Sequence, residues 1–266
     1  MNSNSKNMSL NFCFIGAGNL ATQLSKSLKE NGFNIVQVFS KTENSAKFLA
    51  QKVHSDHTTV PKEITTEADV YFITLKDSVF DEVLSKINFN NQIVVHCSGS
   101  QPISVLEKYA SAFGVFYPLQ TFSKQRDVDF REIPVFVEAN SKETENLLLN
   151  IAGKISDSVS VLSSEKRKYL HIAAVFACNF VNHLYTVAAK ILEKQEIQFE
   201  VLRPLIMETA MKVQEMEPES AQTGPAVRFD ENIIFAHLRE IENFKHYPEL
   251  YNSISKSIFE HHQKLK

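Results

Sequence analysis

Short, unbroken apolar runs alternate along the chain with segments whose apolar residues recur at helical spacing. The first run, Asn11-Phe12-Cys13-Phe14-Ile15, predicts a buried strand, and Leu20, Leu24 and Leu28 then predict a helix. Further strands are predicted at Asn34 to Phe39, Asp69 to Leu75, Gln92 to His96, Gly114 to Tyr117 and Pro134 to Val137, alternating with helical patterns to about residue 153. Such alternation marks βαβ units around a mainly parallel sheet. After about Ser163 strand signals cease and long helical patterns run to the carboxyl end. The expected fold class is an α/β Rossmann-like doubly wound sheet over residues 1–160, followed by an all-α domain over 161–266. Its first helix, from about Ser164 to Glu193, is apolar round most of its circumference, as expected of a central buried element.

The junction of the first strand and helix carries the most specific chemistry. In Gly16-Ala17-Gly18-Asn19-Leu20-Ala21, Gly16 can make the tight turn and Gly18 clears the approach of a pyrophosphate. Ala21 lets the helix pack on the strand, and the free N–H groups of the helix start face the anion. Gly16, Ala17, Gly18, Asn19 and Leu20 are therefore candidate cofactor contacts. The carboxylate that would hold an NAD ribose about 20 residues further on is missing. Ser40-Lys41-Thr42 stands there instead, two hydroxyls and a cation that favour NADP (NADPH), with Lys41 or Lys47 as counter-charge. Ser40 and Thr42 have a second reading as caps of the next helix.

Ligands of open α/β sheets gather outside the carboxyl ends of the strands. Leu75 ends one strand, and Ser98 and Gly99 form a small-residue loop after another, so these three are expected to border the cofactor. His96 and Gln120, at a strand end and in a loop, are candidate substrate contacts. On the long helix, at 100° per residue from His171, Lys168, Asn179, Asn182, His183 and Thr186 fall at about 60°, 80°, 20°, 120° and 60°. A polar stripe usually marks a solvated face, but this one is short of carboxylates and lysines in its middle and is expected to face the cavity between the domains. His171 is the candidate proton donor, Asn179 the residue that orients substrate and Asn182 a further contact, although a core histidine satisfied by Asn182 or a carbonyl fits the same pattern. Arg228, after the Gly224-Pro225 turn, suits a substrate carboxylate or phosphate, or a salt bridge to Glu231 or to a partner subunit.

Composition narrows the class. The 266 residues, 43% hydrophobic, suffice for one large domain or two smaller ones. A net charge of -3 without a basic stripe argues against a nucleic-acid partner. Cys13, Cys97 and Cys178 lie far apart, so neither a disulfide framework nor a C-x-x-C site is expected, and a reducing compartment fits. Met1 to Ser9 lacks the apolar core of a signal peptide. His171, Asn179, Asn182 and His183 interrupt the most hydrophobic helix, which argues against a simple membrane span. A cytoplasmic protein without a membrane partner is expected. His54-x-x-His57 and His261-His262 lack companion ligands, and no metal is expected. The stripes of Val201 to Glu215, with Met207 and Met211, and of Asp230 to Phe244 exceed what a small helical domain can bury, which predicts a homodimer through that domain.

The Gly16-to-Ala21 opening, Val95-His96-Cys97-Ser98-Gly99-Ser100, Pro118-Leu119-Gln120-Thr121-Phe122, the His171 to Asn179 helix and Gln222-Thr223-Gly224-Pro225-Ala226-Val227-Arg228 occur in that order. Together they resemble bacterial oxidoreductase-like proteins that join a Rossmann-like domain to a helical domain of unknown function. More distantly the arrangement is similar to pyrroline-5-carboxylate reductase, the 6-phosphogluconate and 3-hydroxyisobutyrate dehydrogenases, and deazaflavin-dependent NADP oxidoreductases. The resemblance implies NADP binding and a dimer built on helical domains. The chain departs from it in three places. The hydroxyacid dehydrogenases carry a catalytic Lys on this helix with Asn one turn later, where this chain has His171 and Val175; Tyr117 stands where the family often has His; and Arg228-Phe229-Asp230 replaces Arg-Gly-Asp. The expected function is NADP(H)-dependent hydride transfer to or from a small carbonyl, imine or alcohol, with a non-catalytic NADP sensor as the alternative.

Overall fold

The computed structural model describes residues 10–263. Eight strands form one sheet: β1 (Asn11–Ile15), β2 (Asn34–Phe39), β3 (Asp56–Thr58), β4 (Val70–Ile73), β5 (Ile93–His96), β6 (Ala112–Pro118), β7 (Val135–Ala139) and β8 (Val159–Val161). Their order is β3-β2-β1-β4-β5-β6-β7-β8. Every pairing is parallel except β6 with β7, so the last two strands run against the other six. The mainly parallel sheet is thus present with a reversed edge. The three-residue strands β3 and β8 have no counterpart in the sequence reading.

Alternate side chains of a strand leave opposite faces, which gives this sheet two cores. On one face Phe12, Phe14 and Phe72 pack with Leu24, Leu49 and Leu148 of α1 (Asn19–Glu30), α2 (Glu43–Val53) and α4 (Lys142–Ile155). On the other, Cys13, Ile15, Tyr71 and Ile73 meet Phe80 and Leu84 of the short α3 (Phe80–Leu84). Burial on both faces is why β1 and β4 read as continuous apolar runs. Register sets three strands in line at the site: His96 of β5 pairs with Val115 of β6, which pairs with Glu138 of β7.

Helical structure then runs unbroken from Ser164 to Glu193, as α5 (Ser164–Ala174), a π-turn (Val175–Phe180) and α6 (Val181–Glu193). Two expectations change here. Among these residues only Arg167 is buried, and Tyr169 and Phe176 are exposed, so within one chain this is not a buried central helix. A π-turn holds more residues than an α-turn, so the arc drawn at 100° per residue does not carry through Val175–Phe180. By length and composition the same stretch would also be long and apolar enough to cross a membrane.

The packing divides into two compact units, the first ending at Val175 and the second beginning at Phe176. α5 therefore belongs with the sheet. The second unit holds α6 with α7 (Arg203–Glu215), α8 (Pro218–Ala221), α9 (Pro225–Arg228), α10 (Glu231–Glu240) and α11 (Tyr247–Gln263).

Candidate active site

The turn after β1 is built to accept an anion. Gly16 adopts φ +122°, donates its N–H to the Phe39 carbonyl at 2.8 Å, and packs so closely on Thr74 that a Cβ would stand 2.6 Å from Oγ1. Gly18 is exposed, and a Cβ there would meet no protein atom within 4 Å. No side chain caps α1 and its first turn holds no acidic residue, so amide N–H groups face open space with the positive end of the helix dipole. The turn thus fits the pyrophosphate of a dinucleotide. Ala17 is buried beneath it, Leu20 is half-buried, and Asn19 donates from Nδ2 to the Phe122 carbonyl at 2.9 Å, tying the turn to the loop after β6.

After β2 the structure adds a partner that the sequence conceals. Ser40 donates its N–H to the Thr58 carbonyl at 3.2 Å. Thr42 occupies the N-cap of α2 but makes no side-chain cap bond, so its hydroxyl is available. Lys41 Nζ sits 2.8 and 2.7 Å from the two carboxylate oxygens of Glu82 on α3, which hold its charge. That ammonium holds the Glu82 carboxyl below the usual carboxylate range, through its hydrogen bond first and its charge second. Leu75 is half-buried against the core on the α3 side.

The loop after β5 is held by a dense set of hydrogen bonds. Ser98 donates from Oγ to Asp77 Oδ2 at 3.0 Å, and Ser100 donates to the same oxygen at 2.6 Å. The Ser98 hydroxyl also accepts the N–H groups of Ser100 and Gln101. His96 accepts the Ser98 N–H on Nδ1 at 3.1 Å, while its Nε2 is buried with no hydrogen-bond partner among the described residues. With 0% exposure His96 offers no surface to a substrate in this conformation, contrary to its expected role; it braces the loop from below. Burial first, then the nearby Arg167 charge, push its pKa down to about 4, so it is neutral at physiological pH.

Arg167 clasps this loop to α5. Its guanidinium, 1% exposed, donates to the carbonyls of Ser98 at 3.2 Å and Gln101 at 2.6 Å, to Ser164 Oγ at 3.1 Å, and to Glu138 Oε2 at 2.6 Å. Burial opposes the Glu138 charge, but hydrogen bonds from Ser164 and Arg167 outweigh it and hold the carboxyl below its usual range. One helical turn beyond Arg167, half-buried His171 lies against the Gly99 backbone, and its Nδ1 is 3.1 Å from the hydroxyl of Tyr117. Burial raises the Tyr117 pKa against the opposing pull of the Arg167 charge, so the phenol stays protonated at neutral pH.

His171, Ser98 and Gly99 are therefore brought together, in company with Tyr117, Arg167, Asp77 and Glu138. Gln120 is exposed and turned back on its own loop, its Oε1 accepting the Thr121 N–H at 2.8 Å. Asn179, in the π-turn, and Asn182, on α6, are exposed residues of the second unit. Arg228 ends α9, exposed and without the ion pair to Glu231. Arg167 and Glu138 escaped the sequence reading, but each left a trace: a cation one turn before His171, and a carboxylate closing the apolar run Val135-Phe136-Val137.

A doubly wound sheet with this glycine turn, joined to a helical unit, defines a nucleotide-dependent oxidoreductase fold. Residues 11–99 match the family described as NADP oxidoreductase, coenzyme F420-dependent, and residues 133–258 match a domain of unknown function, DUF2520. The chain is 50% identical to a solved candidate NADP oxidoreductase from Bacteroides fragilis, over 95% of this chain and 98% of that one, with a TM-score of 0.92. It belongs to that protein's family of NADP oxidoreductases. A Thermotoga maritima protein is 25% identical over 95% and 99% of the two chains, with a TM-score of 0.79. A reductive aminase from Aspergillus terreus, solved with NADPH and ethyl levulinate, shares the fold at 8% identity over 96% and 94%, with a TM-score of 0.73. No curated protein matches the chain.

Proposed function

We propose that the protein is an NADPH-dependent reductase of a small carbonyl or imine and that His171 delivers the proton. The observation that carries this reading is the placement of His171 against Gly99 and Tyr117 at the carboxyl edge of the sheet that bears the Gly16 to Gly18 turn. The amides at the start of α1 would hold the pyrophosphate, Ser40, Lys41 and Thr42 the 2′-phosphate, and the Ser98-Gly99 loop would border the nicotinamide, which when bound supplies hydride. The Tyr117 phenol, kept protonated by burial, lies 3.1 Å from His171 Nδ1 and would hold the ring with its Nε2 edge free for substrate. When protonated on both nitrogens, His171 would pass the Nε2 proton to a carbonyl oxygen or imine nitrogen as negative charge develops there, and be left as the neutral ring with its Nδ1–H directed at the Tyr117 oxygen. The Aspergillus enzyme, solved with NADPH and a keto ester, supports the choice of ligand class.

The test begins with fluorescence titration of NADPH and NADH, followed by NADPH oxidation with a panel of oxo acids, keto esters and cyclic imines. The expected result is tighter binding of NADPH and turnover that His171→Ala lowers by about a hundredfold or more while NADPH affinity holds. Turnover unchanged in that variant would remove His171 from the mechanism. We also propose that a second copy of the chain covers the exposed apolar side chains of the helical unit, among them Phe176, Val201, Leu205, Met207 and Phe235. Light scattering that returns a monomer at micromolar concentration would refute this.

A further inference from the structure

β2 and β4 are the two neighbours of β1 in the sheet. Lys41 follows β2 and Glu82 lies on the helix that follows β4. Their ion pair, with both carboxylate oxygens within 2.8 Å of one ammonium, thus joins the chain on the two sides of the Gly16 turn. The neighbouring carboxylate of α3, Asp81, is already bound by Lys108 and Tyr109, which leaves Glu82 as the group of that helix committed to Lys41. Both members of the pair are about half exposed, with side-chain accessibilities of 48% and 55%, so a ligand can reach Lys41.

We infer that Glu82 is a specificity-determining residue that competes with the 2′-phosphate of the cofactor for Lys41. This inference rests on the NADP reading of the site. Without ligand the ammonium is neutralised by Glu82. A phosphate monoester that binds Lys41 must share or displace that carboxylate and bears its repulsion, whereas a ribose without the phosphate meets no such contest. Glu82 therefore narrows the preference for the phosphorylated cofactor that Ser40, Lys41 and Thr42 would otherwise confer. The sequence hides this, because the carboxylate facing the end of β2 comes from a helix 41 residues away.

The experiment is calorimetric titration of the wild-type chain and of Glu82→Gln with adenosine 2′,5′-bisphosphate and, separately, with AMP. These probes differ only in the 2′-phosphate and require no turnover. In Glu82→Gln the bisphosphate is expected to bind about two- to fivefold more tightly, the scale of one exposed ion pair, while AMP affinity stays unchanged. Lys41→Met should shrink the bisphosphate advantage, and the gain from Glu82→Gln on that background should be smaller than in the wild type. A wild-type chain that prefers the bisphosphate, with Glu82→Gln no tighter, would overturn the competition but leave the NADP reading standing. Weaker binding of both probes by Glu82→Gln would mean that Glu82 holds the ribose itself, which also overturns it. Failure of the wild type to distinguish the two probes would remove the NADP reading and this inference together.

Discussion

The imidazole of His171 rests on the backbone of Gly99 so closely that a Cβ added there would stand 2.5 Å from Nδ1. Only glycine at 99 lets the histidine reach Tyr117. Gly99→Ala is expected to displace the ring, lower thermal stability by an overpacking cost of about 1–3 kcal/mol, and shift the His171 ring signals in NMR spectra. Unmoved ring signals would show that the contact is not tight in solution.

Gly16 and Gly18 should separate stability from binding. Gly16→Ala puts a side chain into Thr74 at a positive φ, so both folding and NADPH affinity are expected to fall. Gly18→Ala meets no protein atom at a φ of -79°, so stability should stay within about 0.5 kcal/mol of wild type while NADPH affinity drops. Paired melting curves and titrations check this, and equal binding by wild type and Gly18→Ala would place the pyrophosphate elsewhere.

Arg167 is buried and its partner Glu138 is partly buried, and breaking one side of such a pair strands the other charge. Arg167→Met is expected to cost about 3–5 kcal/mol in urea unfolding, with much of the loss recovered in the double variant Arg167→Met with Glu138→Leu. Arg167→Lys should recover little, because an ammonium cannot span Ser98, Gln101 and Glu138 together. Full rescue by lysine would mean that charge alone matters.

His96 makes folding sensitive to acid. Its folded pKa, about 4, lies below the unfolded value of 6.5, so between these values the unfolded chain binds the extra proton. The contribution is complete above pH 6.5 and is lost as pH falls toward 4, for a total of about 3 kcal/mol by linkage. Melting temperatures recorded across that window should decline in wild type and flatten in His96→Asn, which can keep an acceptor for the Ser98 N–H. A parallel decline in both proteins would assign the sensitivity to other groups.

The strands under the glycine turn were legible because burial on both faces leaves a run of apolar residues with no polar interruption, as in Phe12 to Ile15. β3, as Asp56-His57-Thr58, and β8, as Val159-Ser160-Val161, are too short and too polar for any period to register. The reversal of β7 was hidden because a strand's apolar content carries no direction; the chain turns back through the connection closed by the Leu119 to Pro134 hydrogen bond. On the long helix, hydrophobicity suggests burial within the chain, whereas Tyr169 and Phe176 are exposed in it. The π-turn left no periodic trace, since its extra residue alters the spacing that a helical wheel assumes. His171 stands out as a polar exception, but nothing in the sequence marks Arg167 beside it as buried, because Glu138 and the carbonyls of Ser98 and Gln101 come to it only through the fold.

The line of His96, Val115 and Glu138 across three strands imposes a parity rule on later change in this protein. Residues can enter or leave the connection between Leu119 and Pro134 in any number without altering which face Glu138 occupies. Inside β7 a single insertion or deletion would turn that carboxylate to the opposite side of the sheet and release Arg167, and a compensating second change would be needed to bring it back.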